Sequence, residues 1–104
     1  MTRQAFKMQL FPGFEAEYKL RHEAIWPELK ELLKESGISN YSIFLDRDTL
    51  TLFGVMEVAD EEARLRLPEH PVMKRWWAYM KDIMATHPDN APISTSLEEV
   101  FHLD

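Results

Sequence analysis

The sequence YSIFLDRDTLTLFGVMEV, residues 41–58, contains the strongest indication of the architecture. Apolar and polar residues alternate on both sides of Asp46-Arg47-Asp48-Thr49, as expected for two strands joined by a short hairpin loop. The side opposite Ile43 is also apolar, since it carries Phe44, Phe53 and Val55. Both faces of the resulting sheet are therefore expected to be covered, because a solvent-facing sheet surface normally stays polar.

The residues before this hairpin predict a strand and an interrupted helix. Residues 5–10 alternate as in a strand, which Pro12-Gly13 terminates. From residue 14 to residue 35 the apolar spacing becomes helical. Pro27 lies inside this segment, lacks an amide proton and crowds the preceding turn, so we expect a kink or break at residues 23–27.

The residues after the hairpin predict further helix and a final strand. Asp60 can cap a short helix, and Pro71 can occupy the first turn of a second helix that ends before Pro88. The second helix carries Val72, Met73, Trp76, Trp77, Met80, Ile83 and Met84. A last strand is expected near residues 97–103. The order β-α-β-β-α-β predicts an α+β, ferredoxin-like sandwich, with residues 1–104 forming a single domain.

This arrangement has a consequence for assembly. The helices can cover only one face of the sheet, while the second face is also apolar. An uncovered apolar face of this extent is typical of an interaction surface. We therefore expect a homodimer in which two sheets pack against each other.

Charge and cysteine usage exclude several classes of function. The formal net charge is −6, and no cluster of Lys and Arg supplies the basic surface that nucleic acids or anionic membranes require. The absence of cysteine excludes disulfides, thiolate catalysis and cysteine-ligated metals. With no signal-like or bilayer-length apolar segment, the expected location is the cytoplasm.

The histidines and glycines give no indication of a cofactor. His22, His70, His87 and His102 lack the spacing that places metal ligands on one helix face. The three glycines stand too far apart to form a phosphate-binding loop. We therefore expect neither a metal nor a nucleotide cofactor.

Five side chains are candidates for a site. His22 follows Tyr18 by four residues, so both project from one helix face, and an imidazole with a pKa of about 6.5 exchanges protons near neutrality. The alternative is an ordinary surface or half-buried histidine. Tyr18 and Tyr41 can hold a polyol or simply pack in the core. Trp76 and Trp77 point about 100° apart, so one can fill the core while the other lines a cavity or a subunit interface; the alternative is two large core residues.

Several stretches, in one order and over nearly the whole chain, resemble the L-rhamnose mutarotase family. They are Phe6–Leu10, Tyr18 with Arg21–Leu29, Tyr41–Asp46, Arg75–Met80 and Pro88–Asn90. The combination of Arg-His with Ile-Trp-Pro-Glu-Leu and Trp-Trp is specific, whereas either part alone is weak. One departure is His87, where the family pattern has Asn before Pro-Asp-Asn.

The resemblance implies a dimeric α/β-barrel relative of ferredoxin-like folds, which acts on rhamnose without a cofactor. It implies that His22 serves as proton donor and that Tyr18, Tyr41, Trp76 and Trp77 contact the sugar. The expected reaction is interconversion of the α and β anomers by acid–base ring opening and reclosure, with the partner base unassigned. The alternatives are another dimeric α/β-barrel enzyme, such as a monooxygenase or lactone isomerase, and a non-catalytic module that binds a small ligand.

Overall fold

The computed structural model describes residues 2–104. Its helices and strands follow one another along the chain as β1 (Thr2–Gln9), α1 (Glu15–Glu23), α2 (Pro27–Glu35), β2 (Ile38–Asp46), β3 (Thr51–Val58), α3 (Glu61–Arg66), α4 (Pro71–Met80) and β4 (Thr95–Leu97). The strands form one antiparallel sheet in the order β2-β3-β1-β4. The predicted ferredoxin-like α+β order is confirmed, with each of its two helical segments divided in two.

The predicted helix break is present and lies directly before Pro27. α1 ends at Glu23, and Trp26 takes an extended backbone, with φ −60° and ψ 133°. A residue before proline avoids the helical region, and proline itself suits the first turn of a helix. Pro27 therefore begins α2 instead of kinking one continuous helix. As a consequence, the last turn of α1 and the extended Trp26 lie next to each other.

The second helical segment is shorter than predicted. The Asp60 carboxylate caps α3 as expected, accepting a hydrogen bond from the Ala63 amide at 3.1 Å. α4 begins at Pro71 but ends at Met80, although the apolar spacing continues. Beyond it, the Ile83 carbonyl accepts from the Phe11 amide at 2.9 Å. This pairing with the chain after β1 replaces the helical hydrogen bonds, so the expected continuation of the helix toward Pro88 is wrong.

The predicted last strand is also wrong in its extent. β4 contains only Thr95–Leu97, which pairs with β1 at the edge of the sheet. Residues 98–104 form no strand and are exposed, including Val100 at 89% and Phe101 at 78%. Alternating apolar residues do not make a strand without a neighbouring strand and a surface to cover them. Within one chain, residues 98–104 have neither.

The helices and the connecting segments cover one face of the sheet. The largest fully buried side chains lie between this covered face and the segments that cover it: Leu10, Leu29, Leu52, Ile83 and Val58. The opposite face, called here the outer face, carries Phe44, Phe53, Val55 and Leu97, and Phe44 is 64% exposed. The prediction of a second apolar face is thus confirmed. No helix within residues 2–104 combines the length and the hydropathy needed to cross a bilayer.

Candidate active site

His22 lies in the last turn of α1 and is half-buried between two aromatic side chains. Its ring stacks on Tyr18 with the centroids 4.4 Å apart and the planes at 27°. The same ring meets Trp76 edge-on, with the centroids 5.4 Å apart. His22 therefore contacts two of the other four predicted site residues, Tyr18 and Trp76. Tyr18 and Trp76 are themselves buried, so they provide a rigid surround for the imidazole.

A single hydrogen bond determines which nitrogen of His22 is available for chemistry. Nδ1 of His22 lies 3.0 Å from the backbone carbonyl oxygen of Tyr18. A carbonyl oxygen only accepts, so Nδ1 is the nitrogen that carries the proton in the neutral ring. This leaves Nε2 with a free lone pair. Burial lowers the pKa of His22, and the bond to the Tyr18 carbonyl offsets part of that effect. Neutral His22 is consequently a base through Nε2.

The two predicted tyrosines lie close enough to influence each other. Burial, and then the charge that Tyr41 would carry, raise the pKa of Tyr18 far above its ordinary value. Burial also raises the pKa of Tyr41 to about 12. Tyr41 as a whole is 38% exposed, so it lies at the edge of the covered face. Both hydroxyls stay protonated at neutral pH and can donate hydrogen bonds to a sugar.

Two further aromatic side chains extend the cluster and were not singled out from the sequence. Trp26 meets Trp76 edge-on at 5.1 Å and stacks on Tyr79 at 5.7 Å. Tyr79 also lies 5.7 Å from Trp76. The sequence did contain signals for both. Tyr79 follows Trp76 by three residues on one helix face, and Trp26 directly precedes the proline that breaks the helix.

The structure separates the two adjacent indoles. Trp76 is 6% exposed and belongs to the main core, whereas Trp77 is half-buried at the edge of that core. This confirms that neighbouring helical positions give them different packing roles. Among residues 2–104, no close pair of aromatic rings includes Trp77. The structure therefore brings Tyr18, His22 and Trp76 together and leaves Trp77 outside the cluster.

Arg21 joins α1 to the end of α4 beside this cluster. Its guanidinium donates to both carboxylate oxygens of Asp82, at 2.9 and 3.2 Å, and to the Tyr79 carbonyl at 2.7 Å. Its Nε donates to Glu17 at 2.7 Å, and the guanidinium carbon lies 4.4 Å from the centroid of the Tyr79 ring. The side chain is only 11% exposed, so these contacts are partly shielded from water. Arg21 thus holds the helix turn that carries His22 against the helix that carries Trp76.

Potential metal ligands do not cluster in the structure. Within residues 2–104, no group of three or more His, Asp or Glu side chains is arranged to hold a metal ion. The site residues are instead one imidazole, two phenols and the indoles. Such a set can transfer protons, donate hydrogen bonds and pack against the apolar side of a ring-shaped ligand.

Comparison with known proteins identifies the family. A family model described as L-rhamnose mutarotase matches residues 3–103. An L-rhamnose mutarotase of Rhizobium johnstonii is 59% identical over 103 residues, which cover 99% of this chain and 97% of the relative. The crystal structure of an L-rhamnose mutarotase from Formosa agariphila superposes with a TM-score of 0.93 at 47% identity, with complete coverage of both chains.

A more distant structure shares only the fold. It is described as an antibiotic biosynthesis monooxygenase from Chloroflexus aurantiacus, and it superposes with a TM-score of 0.58 at 15% identity over 99% of this chain and 98% of its own. At that identity the likeness carries no information about chemistry. Information about chemistry comes instead from the full-length match to the family model and from the high identity to members of the family. The chain belongs to the L-rhamnose mutarotase family.

Proposed function

We propose that this protein is an isomerase that interconverts the α and β anomers of L-rhamnose by opening and reclosing the pyranose ring. Full-length relatives that are named L-rhamnose mutarotase support the reaction and the sugar. The observation that carries the mechanism is the half-buried His22, whose Nε2 is free while its Nδ1 is bonded to the Tyr18 carbonyl.

We propose that Nε2 of His22 moves the proton in both directions. In ring opening, Nε2 takes the proton of the C1 hydroxyl, the C1–O bond becomes a carbonyl, and the electron pair of the C1–O5 bond leaves on O5. The imidazolium then gives its proton to O5. Rotation about C1–C2 exposes the other face of the aldehyde, and the same steps reversed close the ring. His22 is thus the donor to the ring oxygen, as the resemblance implies, only after it has acted as base. A positioned acid–base group contributes typically ~10²–10⁴-fold.

The other side chains bind the sugar in this proposal. The hydroxyls of Tyr18 and Tyr41 remain protonated and donate hydrogen bonds to sugar oxygens. Trp76 packs against the apolar side of the ring next to His22, a position that its edge-on contact with His22 supports. A sugar contact by Trp77 stays a prediction, and it has less support because Trp77 lies outside the aromatic cluster.

The test is saturation-transfer NMR between the α and β anomeric protons of L-rhamnose, with several other aldoses for comparison. We expect exchange above the buffer rate, and His22→Asn to lower kcat/KM at least ~100-fold. His70→Asn is the matched control, because His70 caps α4 through its side chain and asparagine is an equally good cap. A protein without added exchange, or a folded His22→Asn variant with wild-type exchange, contradicts the proposal.

We further propose that the protein is a homodimer joined through the outer face. Phe44 is 64% exposed there, Leu97 is 37% exposed, and the exposed apolar residues of segment 98–104 continue from Leu97. This segment and the edge of the sheet border a groove of about 210 Å³. Phe44→Lys is expected to reduce the molar mass measured by light scattering to that of a monomer. Leu65→Lys, at an equally exposed leucine on α3, should leave it unchanged. The cytoplasmic location and the single-domain organisation stay predictions.

A further inference from the structure

Strand β2 contains a bulge directly before Tyr41. Ser39 lies opposite Glu57 and Ser42 lies opposite Val55, so that Asn40 and Tyr41 together face the single residue between them on β3. Asn40 takes a left-handed backbone conformation with φ 48°. A residue with positive φ followed by an extended one is the usual construction of a bulge that carries a small or amide residue.

An irregularity somewhere in this part of β2 is unavoidable. Ile38 lies opposite Val58, and Ile43 lies opposite Gly54, so both isoleucines point to the covered face of the sheet. Residues five apart point to opposite faces in a regular strand. One extra residue must therefore be inserted between Ile38 and Ile43, and its position determines on which face Tyr41 lies.

The observed position of the bulge places Tyr41 on the covered face. Because the extra residue precedes Tyr41, this tyrosine keeps the alternation of Ile43 instead of that of Ile38. Its ring meets the Phe6 ring at 6.1 Å, and Phe6 covers Gly54 on the same face. A bulge placed after Tyr41 would leave Tyr41 alternating with Ile38 and turn it to the outer face.

Two properties of Asn40 favour the bulge at this position. Asparagine tolerates the left-handed region better than most residues, whereas a β-branched side chain is strongly disfavoured there. In addition, the Asn40 side-chain amide donates to the Glu57 carboxylate at 2.7 Å. This cross-strand bond ties the bulged residue to β3 at the last regular pair, Ser39 with Glu57.

We propose that Asn40 is a positioning residue of the active site: its left-handed backbone, supported by the bond to Glu57, sets the bulge that turns Tyr41 to the face of the sheet that the helices cover. The effect that a charge on Tyr41 would have on the pKa of Tyr18, which stacks on His22, agrees with this placement. The effect of Asn40 on catalysis rests on the proposed function. The placement of Tyr41 does not, so the two are tested by separate measurements.

The kinetic test uses Asn40→Val, Asn40→Gly and the matched control Ser39→Val, which introduces the same side chain at an exposed position in regular pairing. We expect Asn40→Val to lower kcat/KM for anomer exchange about 10-fold, while Asn40→Gly and Ser39→Val stay within about threefold of wild type. In a Tyr41→Phe background, Asn40→Val should add less than about twofold, because both changes act through one hydroxyl. An equal loss in both backgrounds overturns the inference.

The structural test needs no activity. Nuclear Overhauser contacts between the rings of Tyr41 and Phe6 should be present in the wild type, Asn40→Gly and Ser39→Val, and lost in Asn40→Val. If Asn40→Val does not fold, Asn40→Ala should show a smaller loss of the same contacts and of kcat/KM. A folded Asn40→Val or Asn40→Ala variant with wild-type contacts overturns the inference. Wild-type protein without anomer exchange overturns the proposed function instead.

Discussion

The protonation state of His22 predicts the sign of the pH dependence of catalysis. Burial lowers the pKa of His22 from its ordinary value of 6.5. At pH 7 the imidazole is then more than about three-quarters neutral, and almost fully neutral at pH 9. If neutral Nε2 is the base that starts ring opening, kcat/KM rises by less than about 1.3-fold between pH 7 and pH 9. Below the pKa of His22 it falls about tenfold per pH unit.

The opposite mechanism gives a very different profile. If the free enzyme had to present the imidazolium to the ring oxygen, kcat/KM would fall about tenfold per unit above the pKa, or about 100-fold from pH 7 to pH 9. Saturation-transfer NMR between the rhamnose anomers at pH 5 to 9, corrected for buffer catalysis at each pH, distinguishes the two. An activity that climbs steadily toward acid pH would refute the assignment of Nε2 as the base.

The same lowered pKa has a consequence for stability. Since the folded protein binds a proton at His22 less readily than the unfolded chain, the stabilisation is present above pH 6.5 and is lost as pH falls through the lower pKa of the folded state. One titrating group contributes at most about 1.4 kcal/mol per pH unit to this slope. Urea unfolding of the wild type and of His22→Asn between pH 5 and pH 8 measures this effect: the wild type should lose more stability than the variant as pH falls, and a stability difference that stays constant over the range would contradict it.

Three substitutions test the surroundings of the site by urea unfolding. Gly54→Ala places a Cβ closer to the tip of the Phe6 ring than van der Waals contact allows, so we expect a loss of about 1–3 kcal/mol, and unchanged stability would show that Phe6 moves freely. Asp82→Asn weakens one ion pair of Arg21, and since the Asp82 side chain is 62% exposed the loss should stay below about 1 kcal/mol. Leu29→Ala empties a core position that is 1% exposed, and a loss outside about 2–5 kcal/mol would contradict the packing described.

The fold was predictable where local chemistry alone selects a conformation. Pro27 is incompatible with a helix interior and suits a helix start, Asp60 caps a helix through its own side chain, and strand alternation follows from side-chain direction. The predicted ends of elements were wrong where pairing with distant parts of the chain, present or missing, overrides the local pattern. The carbonyl of Ile83 accepts from Phe11, so α4 stops although its apolar spacing continues. Segment 98–104 carries three apolar residues but has no neighbouring strand to pair with.

The candidate site was predictable only in part, for a related reason. The proximity of Tyr18 and His22 follows from their spacing on one helix. The contact of His22 with Trp76 depends on how α1 packs against α4, which no local pattern contains, so only the family resemblance pointed to it. The free Nε2 depends in turn on a backbone carbonyl, and the sequence could not show which nitrogen that carbonyl engages.

Two irregularities of the backbone, the helix break before Pro27 and the bulge at Asn40, each position an aromatic side chain. The helix break before Pro27 leaves Trp26 extended against Trp76, directly after the turn that carries His22. The bulge at Asn40 places Tyr41 on the covered face. A regular helix and a regular strand would cost less strain, yet each would direct one of these aromatic residues elsewhere. Under the proposed function, these two departures from regular structure lie where the sugar site needs aromatic side chains that regular elements would not supply.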